Sequence, residues 1–330
     1  MTDRFASKIS RRRVDVAFCC DEGYLQPLTV AITSVLATAR DPSRLRLWLL
    51  TRTLEGAAVA DLSRLVTRTG AEFNPVTLDR ARDTFAGAPL SEHLTEATYY
   101  RLLLPDALPG EVVRVVYLDC DVVVRRPIED LWNTDLGPAP TGAVVNPRPV
   151  GARQLGLAHD RDYFNAGVLL IDLARWRRER LHRRAIEFIR SCGRPLPFLD
   201  QDALNHVHAG AWHRLDLRWN QQFKFFKHPA HYLRVSSSAL RRARREPFIV
   251  HYSTTTKPWH YANDHPWRGA YFRHLDRTHY RGWRPQPRNL HERVRRTMWS
   301  VVPHRWRPDV IRLNVPPRVR ALKRLLRPSP

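Results

Sequence analysis

The sequence predicts an α/β fold, a Rossmann-like sheet flanked by helices, from three observations. Short apolar runs alternate with stretches of helical spacing through the first 120 residues. One of those runs, Val112 to Leu118, stops directly at Asp119-Cys120-Asp121. The chain is also large and apolar enough, with 330 residues of which 43% are hydrophobic, to bury a full core.

Each element follows in order. Val14 to Cys20 reads as a buried strand, and Gln26 to Ala39 follows with Leu28, Ile32, Val35 and Ala39 at helical spacing. Leu45 to Leu50 is a second strand. Leu54, Leu62, Leu65 and Val66 mark a second helix, Gly70 ends it, and Glu72 to Leu78 supplies a third strand. This alternation argues for parallel pairing. Thr98 to Leu104 reads as a short helix ended by Pro105, before the strand that delivers the aspartates. Further strands are expected at Ala143 to Val145, Gly167 to Ile171 and Phe248 to Tyr252, with helices over Ala174 to Ser191 and Gln201 to Val207.

Asp119 and Asp121 place two carboxylates, one residue apart, where a strand meets solvent. Ligands of such sheets bind beyond strand carboxyl ends, so Asp21, at the end of the first strand, is expected near Asp119. Paired carboxylates are a hard-oxygen site for a divalent cation, which can in turn hold a diphosphate; a solvated turn is the plainer alternative.

Composition narrows the partners. The 55 Lys and Arg against 32 Asp and Glu give a net charge of +23, which favours polyanionic surfaces or ligands. From Pro266 to Pro330 there are 17 basic and 3 acidic residues, so more than half of the excess lies in the last fifth of the chain. The four cysteines, Cys19, Cys20, Cys120 and Cys192, have neither zinc spacing nor the density of a disulfide scaffold, and Cys19 and Cys20, adjacent in an apolar strand, are expected as buried free thiols. The basic segment 1–13 lacks an apolar signal core, and no stretch approaches the length of a spanning helix, so the expected location is cytoplasmic.

Several ordered segments carry a resemblance. Phe18-Cys19-Cys20-Asp21-Glu22-Gly23-Tyr24, Tyr100 to Pro105, Tyr117 to Asp121, Tyr163 to Val168, Asp200 to Asn205, and His251-Tyr252 through Lys257-Pro258-Trp259 resemble glycosyltransferase family 8. That family includes bacterial lipopolysaccharide galactosyl- and glucosyltransferases and the glycogenins. The resemblance covers about Val14 to His260. It implies a GT-A nucleotide-diphospho-sugar transferase domain over 14–262, a Rossmann-like mixed sheet flanked by helices, followed by a basic Trp/Arg-rich tail over 263–330. It also implies a UDP-sugar donor, UDP-galactose or UDP-glucose, a Mn2+ or Mg2+ ion, and transfer with retention of anomeric configuration.

The resemblance assigns roles residue by residue. Asp119, Asp121 and His251 match metal ligands, the imidazole shifting preference toward Mn2+. Taken alone, His251 also suits a core histidine at a strand end. Lys257 matches a lysine that reaches the diphosphate as a point charge. Asp21 matches a residue at the uridine, Tyr24 is placed to stack on the base, and Arg101 lies near the donor, with a structural ion pair to Asp119 or a neighbour as its alternative. Asn165 and Ala166 form a wall for the donor sugar. Asp200 and Gln201 bracket that sugar, Gln201 near the anomeric carbon, while Asp202 caps or orients its helix. An amide is a poor nucleophile, so attack by the acceptor on the face the leaving group departs from competes with a covalent intermediate. Three positions depart from the family pattern: Gly23, Asn146 on the acceptor side, and Thr254, where the family carries glycine and where the Ser253 to Thr256 run offers hydroxyls instead.

The tail suggests a peripheral enzyme. Arg293 to Trp299 and Val319 to Leu326 read as basic amphipathic helices suited to an anionic membrane, where lipid-linked or glycan acceptors reside. Nucleic-acid binding through Trp283, Trp299 and Trp306 is a rival reading, but it lacks any reading motif and leaves the acidic residues without a role, so no nucleic-acid partner is expected. A sugar-nucleotide hydrolase is the other rival, since water can replace an acceptor.

Overall fold

Ten strands in two sheets organise the computed structural model, which describes residues 13–287 apart from 53, 80, 86–87, 89–95, 150 and 194–195. The expected helices at Arg293 to Trp299 and Val319 to Leu326, and nearly all of segment 1–13, lie outside the described residues.

The large sheet has the order β3-β2-β1-β4-β7-β6-β8. Strands β1 (Val14–Cys19), β2 (Leu45–Thr51), β3 (Glu72–Thr77) and β4 (Arg114–Leu118) are parallel, as the alternation predicts. Both faces of β1 are covered: Val14, Val16 and Phe18 join one apolar cluster, and Ala17 and Cys19 the other. The helices Leu25–Thr38 and Gly56–Thr67 pack into the first cluster through Leu28, Ile32, Leu62 and Val66. Pro75 sits in β3, which pairs only with β2, so its missing N–H costs no interior ladder bond.

Beyond β4 the sheet is mixed. Strand β7 (Phe164–Asp172) runs antiparallel to both β4 and β6 (Thr141–Val145), and β8 (His213–Arg214) edges β6. Among the described residues, two 3₁₀ turns and no crossover helix separate β6 from β7, so nothing there returns the chain in parallel. A second sheet, unforeseen from periodicity, has β10 (Ile249–His251) between β5 (Val122–Val124) and β9 (Gln221–Gln222). Its register sets His251 opposite Val122, one residue past Asp121.

Three expected elements are corrected. The helix over Ala174 to Ser191 divides into Leu173–Arg178 and Leu181–Ser191 at Arg180, whose φ of 53° is left-handed; the break lets Trp176 and the row Leu181, Ala185 and Ile189 enter the same core. The segment before β4 is a 3₁₀ helix, Glu96–Leu103, and Pro105 does not end it but sits in the first turn of Leu104–Ala107, where no N–H is needed. The apolar core does not stop at residue 262, where the resemblance ends the transferase domain. The helix Arg268–Leu275 buries Ala270, Tyr271 and Leu275 against Val30, Val123, Val250 and Tyr252, and the Tyr271 hydroxyl donates to Gln26 Oε1 at 3.1 Å, so packing continues past residue 262. Cys19, Cys20 and Cys120 are buried free thiols, and Cys192 is a partly exposed one.

Candidate active site

The carboxyl ends of β1 and β4 and the small sheet converge on one place. Asp119 and Asp121 follow β4, and β10 brings His251 from 130 residues further along the chain, so that one oxygen of each carboxylate and an imidazole nitrogen lie within 4.8 Å of one another. His251 Nε2 is 3.3 Å from Asp121 Oδ1 and 3.6 Å from Asp119 Oδ2. Its other nitrogen, Nδ1, donates to Asn220 Oδ1 at 2.9 Å, so the Nε2 lone pair is the one facing the carboxylates. Two carboxylate oxygens and an imidazole nitrogen are a donor set that fits a divalent cation of the Mn2+ type. Gly167 makes the room: a Cβ there would stand 2.3 Å from His251 Cε1 and 2.6 Å from Asp119 Oδ2.

Positive charge already compensates the aspartates. Lys257 Nζ lies 2.5 Å from Asp121 Oδ2 and donates to Tyr252 O at 2.8 Å. Burial works against ionisation of Asp121, but Lys257, joined by His251 when its ring is protonated, outweighs it and holds the carboxyl well below its ordinary value. Arg101 spans the other side. Its NH2 is 3.0 Å from Asp119 Oδ1, its Nε proton points to Thr98 O at 3.1 Å with Asp200 Oδ2 2.9 Å away, and NH1 donates to Ala166 O at 2.7 Å. Expected near the donor, Arg101 is only 6% exposed and spends its guanidinium on these protein groups; the ion-pair alternative is the one the geometry realises. Burial lowers its affinity for a proton, yet Asp119 and Asp200 reverse this and keep it firmly charged.

Asp200 stands at the start of the helix Leu199–His208. Its Oδ1 accepts from the Thr98 hydroxyl at 2.7 Å, whereas Oδ2 accepts no hydrogen bond. Burial pushes its carboxyl up to about 6, with Arg101 and Thr98 opposing the rise. Beside it, Gln201 Oε1 accepts from Asn165 Nδ2 and from Ala166 N, both at 3.0 Å, and Gln201 Nε2 donates to the Tyr163 hydroxyl at 2.9 Å. Tyr163 donates in turn to Asp202 Oδ1 at 2.5 Å, and Asp202 Oδ2 caps the helix by accepting from Phe198 N at 2.8 Å. Asn165 Oδ1 is occupied by Gly167 N at 3.1 Å and Asn220 Nδ2 at 2.7 Å, which leaves one amide N–H for a ligand rather than both a donor and an acceptor.

A cavity of about 520 Å³ opens from the aspartates past Asp21, Tyr24 and Lys257, the size range of small-ligand clefts. A smaller recess of about 150 Å³ continues it to Asn165, Asp200 and Gln201. Every predicted site residue lines one or both. Tyr24 packs edge-on against Trp259 with ring centroids 5.7 Å apart. In the loop where the sequence replaces the expected glycine, the Thr254 hydroxyl donates to Thr256 O at 3.0 Å; Ser253 and Thr255 line the cavity.

Sequence reasoning missed Asn220, Thr98, Tyr163 and Lys224. Lys224 lies beside the acceptor-side departure: its Nζ donates to Asn146 Oδ1 at 2.5 Å and Pro147 O at 3.0 Å, and burial lowers it to about 8. None of the four has a local sequence signal, because each acts through a partner at least 31 residues away.

The mixed sheet with a divalent-cation donor set and a nucleotide-sized cleft at its carboxyl edge defines a GT-A-type glycosyltransferase. Residues 15–263 match the family model described as glycosyl transferase family 8, and the chain belongs to that family. Among curated relatives, it is 29% identical to general stress protein A of Bacillus subtilis over 274 residues, covering 80% of this chain and 93% of that protein. It is 26% identical to the lipopolysaccharide 1,3-galactosyltransferase of Salmonella typhimurium over 266 residues, 78% of this chain and 76% of that one. Among solved structures, the galactosyltransferase LgtC in complex with donor and acceptor sugar analogs superposes with a TM-score of 0.72 at 27% identity, covering 86% of this chain and all of that one.

Proposed function

We propose that this glycosyltransferase moves a hexose, galactose or glucose, from a UDP-sugar to a glycan or glycolipid acceptor of lipopolysaccharide type, with retention of configuration. The observation that carries the reading is the convergence of Asp119, Asp121 and His251 at the junction of a cleft reaching Asp21 and a recess reaching Gln201. Asp21 and Tyr24 hold the nucleobase end, Lys257 meets the diphosphate, and Asn165, Ala166 and Asp200 line the sugar end. Asp119, Asp121 and His251 would hold a divalent cation, which would neutralise negative charge growing on the diphosphate as the glycosidic bond breaks. Mn2+ is favoured over Mg2+ by the imidazole.

Retention is part of this proposal, and the way Gln201 is spent bears only on its route. Its carbonyl oxygen already accepts two hydrogen bonds, so neither lone pair is free to attack the anomeric carbon. The acceptor hydroxyl oxygen instead bonds to that carbon on the face the diphosphate leaves. The electron pair of the broken bond stays on the departing phosphate oxygen, which also takes the hydroxyl proton. The lipopolysaccharide galactosyltransferase and the structure bound to donor and acceptor sugar analogs support a saccharide acceptor.

Among the described residues no helix is long and apolar enough to cross a membrane. The basic residues beyond 287 provide peripheral attachment to an anionic surface in this reading. The test is turnover of UDP-galactose and UDP-glucose with Mn2+, with and without lipopolysaccharide core saccharides, for the wild type, Asp119→Ala and Asp121→Ala. Sugar transfer that disappears in both variants and in EDTA is expected. Full activity in EDTA rejects the metal role, and equal UDP release with and without every acceptor favours a hydrolase.

A further inference from the structure

We infer that Asn220 is a positioning residue that locks His251 in the one tautomer able to bind a cation and ties that choice to the sugar-facing amides. This rests on the reading of Asp119, Asp121 and His251 as a metal site. Asn220 is fully buried in the 3₁₀ turn Leu217–Asn220, directly before β9, which pairs with β10 beside His251.

Amide orientation is ordinarily a matter of assignment, but here two backbone donors fix it. Ala166 N donates to Gln201 Oε1 at 3.0 Å, so the oxygen of Gln201 faces β7. Gly167 N donates to Asn165 Oδ1 at 3.1 Å, so the oxygen of Asn165 is fixed as well. Asn165 then presents only its NH2 to Gln201, and only its oxygen to Asn220. Asn220 must answer with Nδ2, at 2.7 Å, which turns Oδ1 toward His251 Nδ1 at 2.9 Å. An oxygen there accepts from a protonated Nδ1, and Nε2 keeps its lone pair toward the carboxylates. Every donor along His251, Asn220, Asn165, Gln201, Tyr163 and Asp202 points the same way, and Asp202 is the terminal acceptor. The imidazole and the group nearest the anomeric carbon are thus oriented by one line of bonds.

The two ends of Asn220 can be separated. Asn220→Asp keeps an oxygen for His251 Nδ1 but sets a second oxygen against Asn165 Oδ1; Asn220→Ala removes both functions. Mn2+ affinity of the full chain, measured by electron paramagnetic resonance of free ion at one fixed pH, is read for wild type, both variants and His251→Ala, together with kcat for UDP-sugar at saturating Mn2+. The expected result is Mn2+ binding about 10- to 100-fold weaker in Asn220→Ala. Asn220→Asp is expected to stay within about threefold of wild type in Mn2+ affinity while kcat falls about tenfold or more. Should Asn220→Ala fail to fold, the split in Asn220→Asp decides. Loss of both properties in Asn220→Asp, or of neither, overturns the inference. Wild-type protein that binds no Mn2+ overturns the metal reading and this inference with it, whereas wild-type affinity in Asn220→Ala with none in His251→Ala overturns this inference alone.

Discussion

Replacing Gly167 by alanine adds one methyl group at the most crowded point of the site. No left-handed backbone angle requires glycine here; the constraint is space. The new Cβ would lie 2.3 Å from His251 Cε1, 2.6 Å from Asp119 Oδ2 and 2.8 Å from His251 Nδ1. Ordinary carbon contacts need about 3.5 Å, so the ring must retreat by roughly 1 Å. It has little freedom to do so, because His251 is buried and tied to Asn220, while Asp119 is held by the Tyr117 hydroxyl at 2.8 Å and by Arg101. Metal sites tolerate errors of about 0.2 Å, and disturbing groups that only support a ligand already costs about 10- to 100-fold in affinity. Gly167→Ala is therefore expected to bind Mn2+ at least that much more weakly, a loss of about 1.4–2.8 kcal/mol, with about 1–3 kcal/mol of overpacking in addition. Calorimetric Mn2+ titration on protein checked for folding by circular dichroism measures the first, and urea unfolding the second. An alanine variant that binds Mn2+ and turns over donor like the wild type refutes the geometry.

Two further outcomes are expected. Asp200 is raised from 3.8 to about 6 chiefly by burial, so between these values the folded chain holds a proton that the unfolded chain has lost. Its contribution to stability therefore falls as pH rises through this window and levels off above it. The urea-derived stability of wild type relative to Asp200→Asn should drop by up to about 3 kcal/mol between pH 4 and 6, and a constant difference sinks the assignment. Truncation after residue 287 should abolish sedimentation with anionic vesicles while leaving neutral vesicles unbound in both forms; undiminished anionic binding places attachment elsewhere.

The parallel half of the sheet and the aspartate pair were legible because burial on two faces writes uninterrupted apolar runs, and Asp119 ends one abruptly. Strand direction is not written that way, so β7 reads equally well in either sense. The small sheet escaped notice because Val122–Val124 follows Asp121 without a gap and β9 is only Gln221–Gln222. His251 and Lys257 were found by resemblance alone; nothing local separates His251 from a core histidine, and its partners arrive from far along the chain. Arg101 shows the reverse case, where the residue was found and its occupation by Asp119 and Asp200 was visible only in space. The helix break at Arg180 carries neither glycine nor proline, and tertiary packing of Trp176 and Leu181 decides it.

The pairing of Ile249–His251 with Val122–Val124 sets the order in which the enzyme becomes competent. Until residue 251 has left the ribosome and docked, the site of the nascent polypeptide has Asp119 and Asp121 but not His251, and its cleft lacks the Ser253 to Lys257 rim. Such long-range closure comes late in folding. In the proposed function, a chain that has not closed this pairing lacks the third metal ligand, and transfer begins only once the whole catalytic body has closed upon itself.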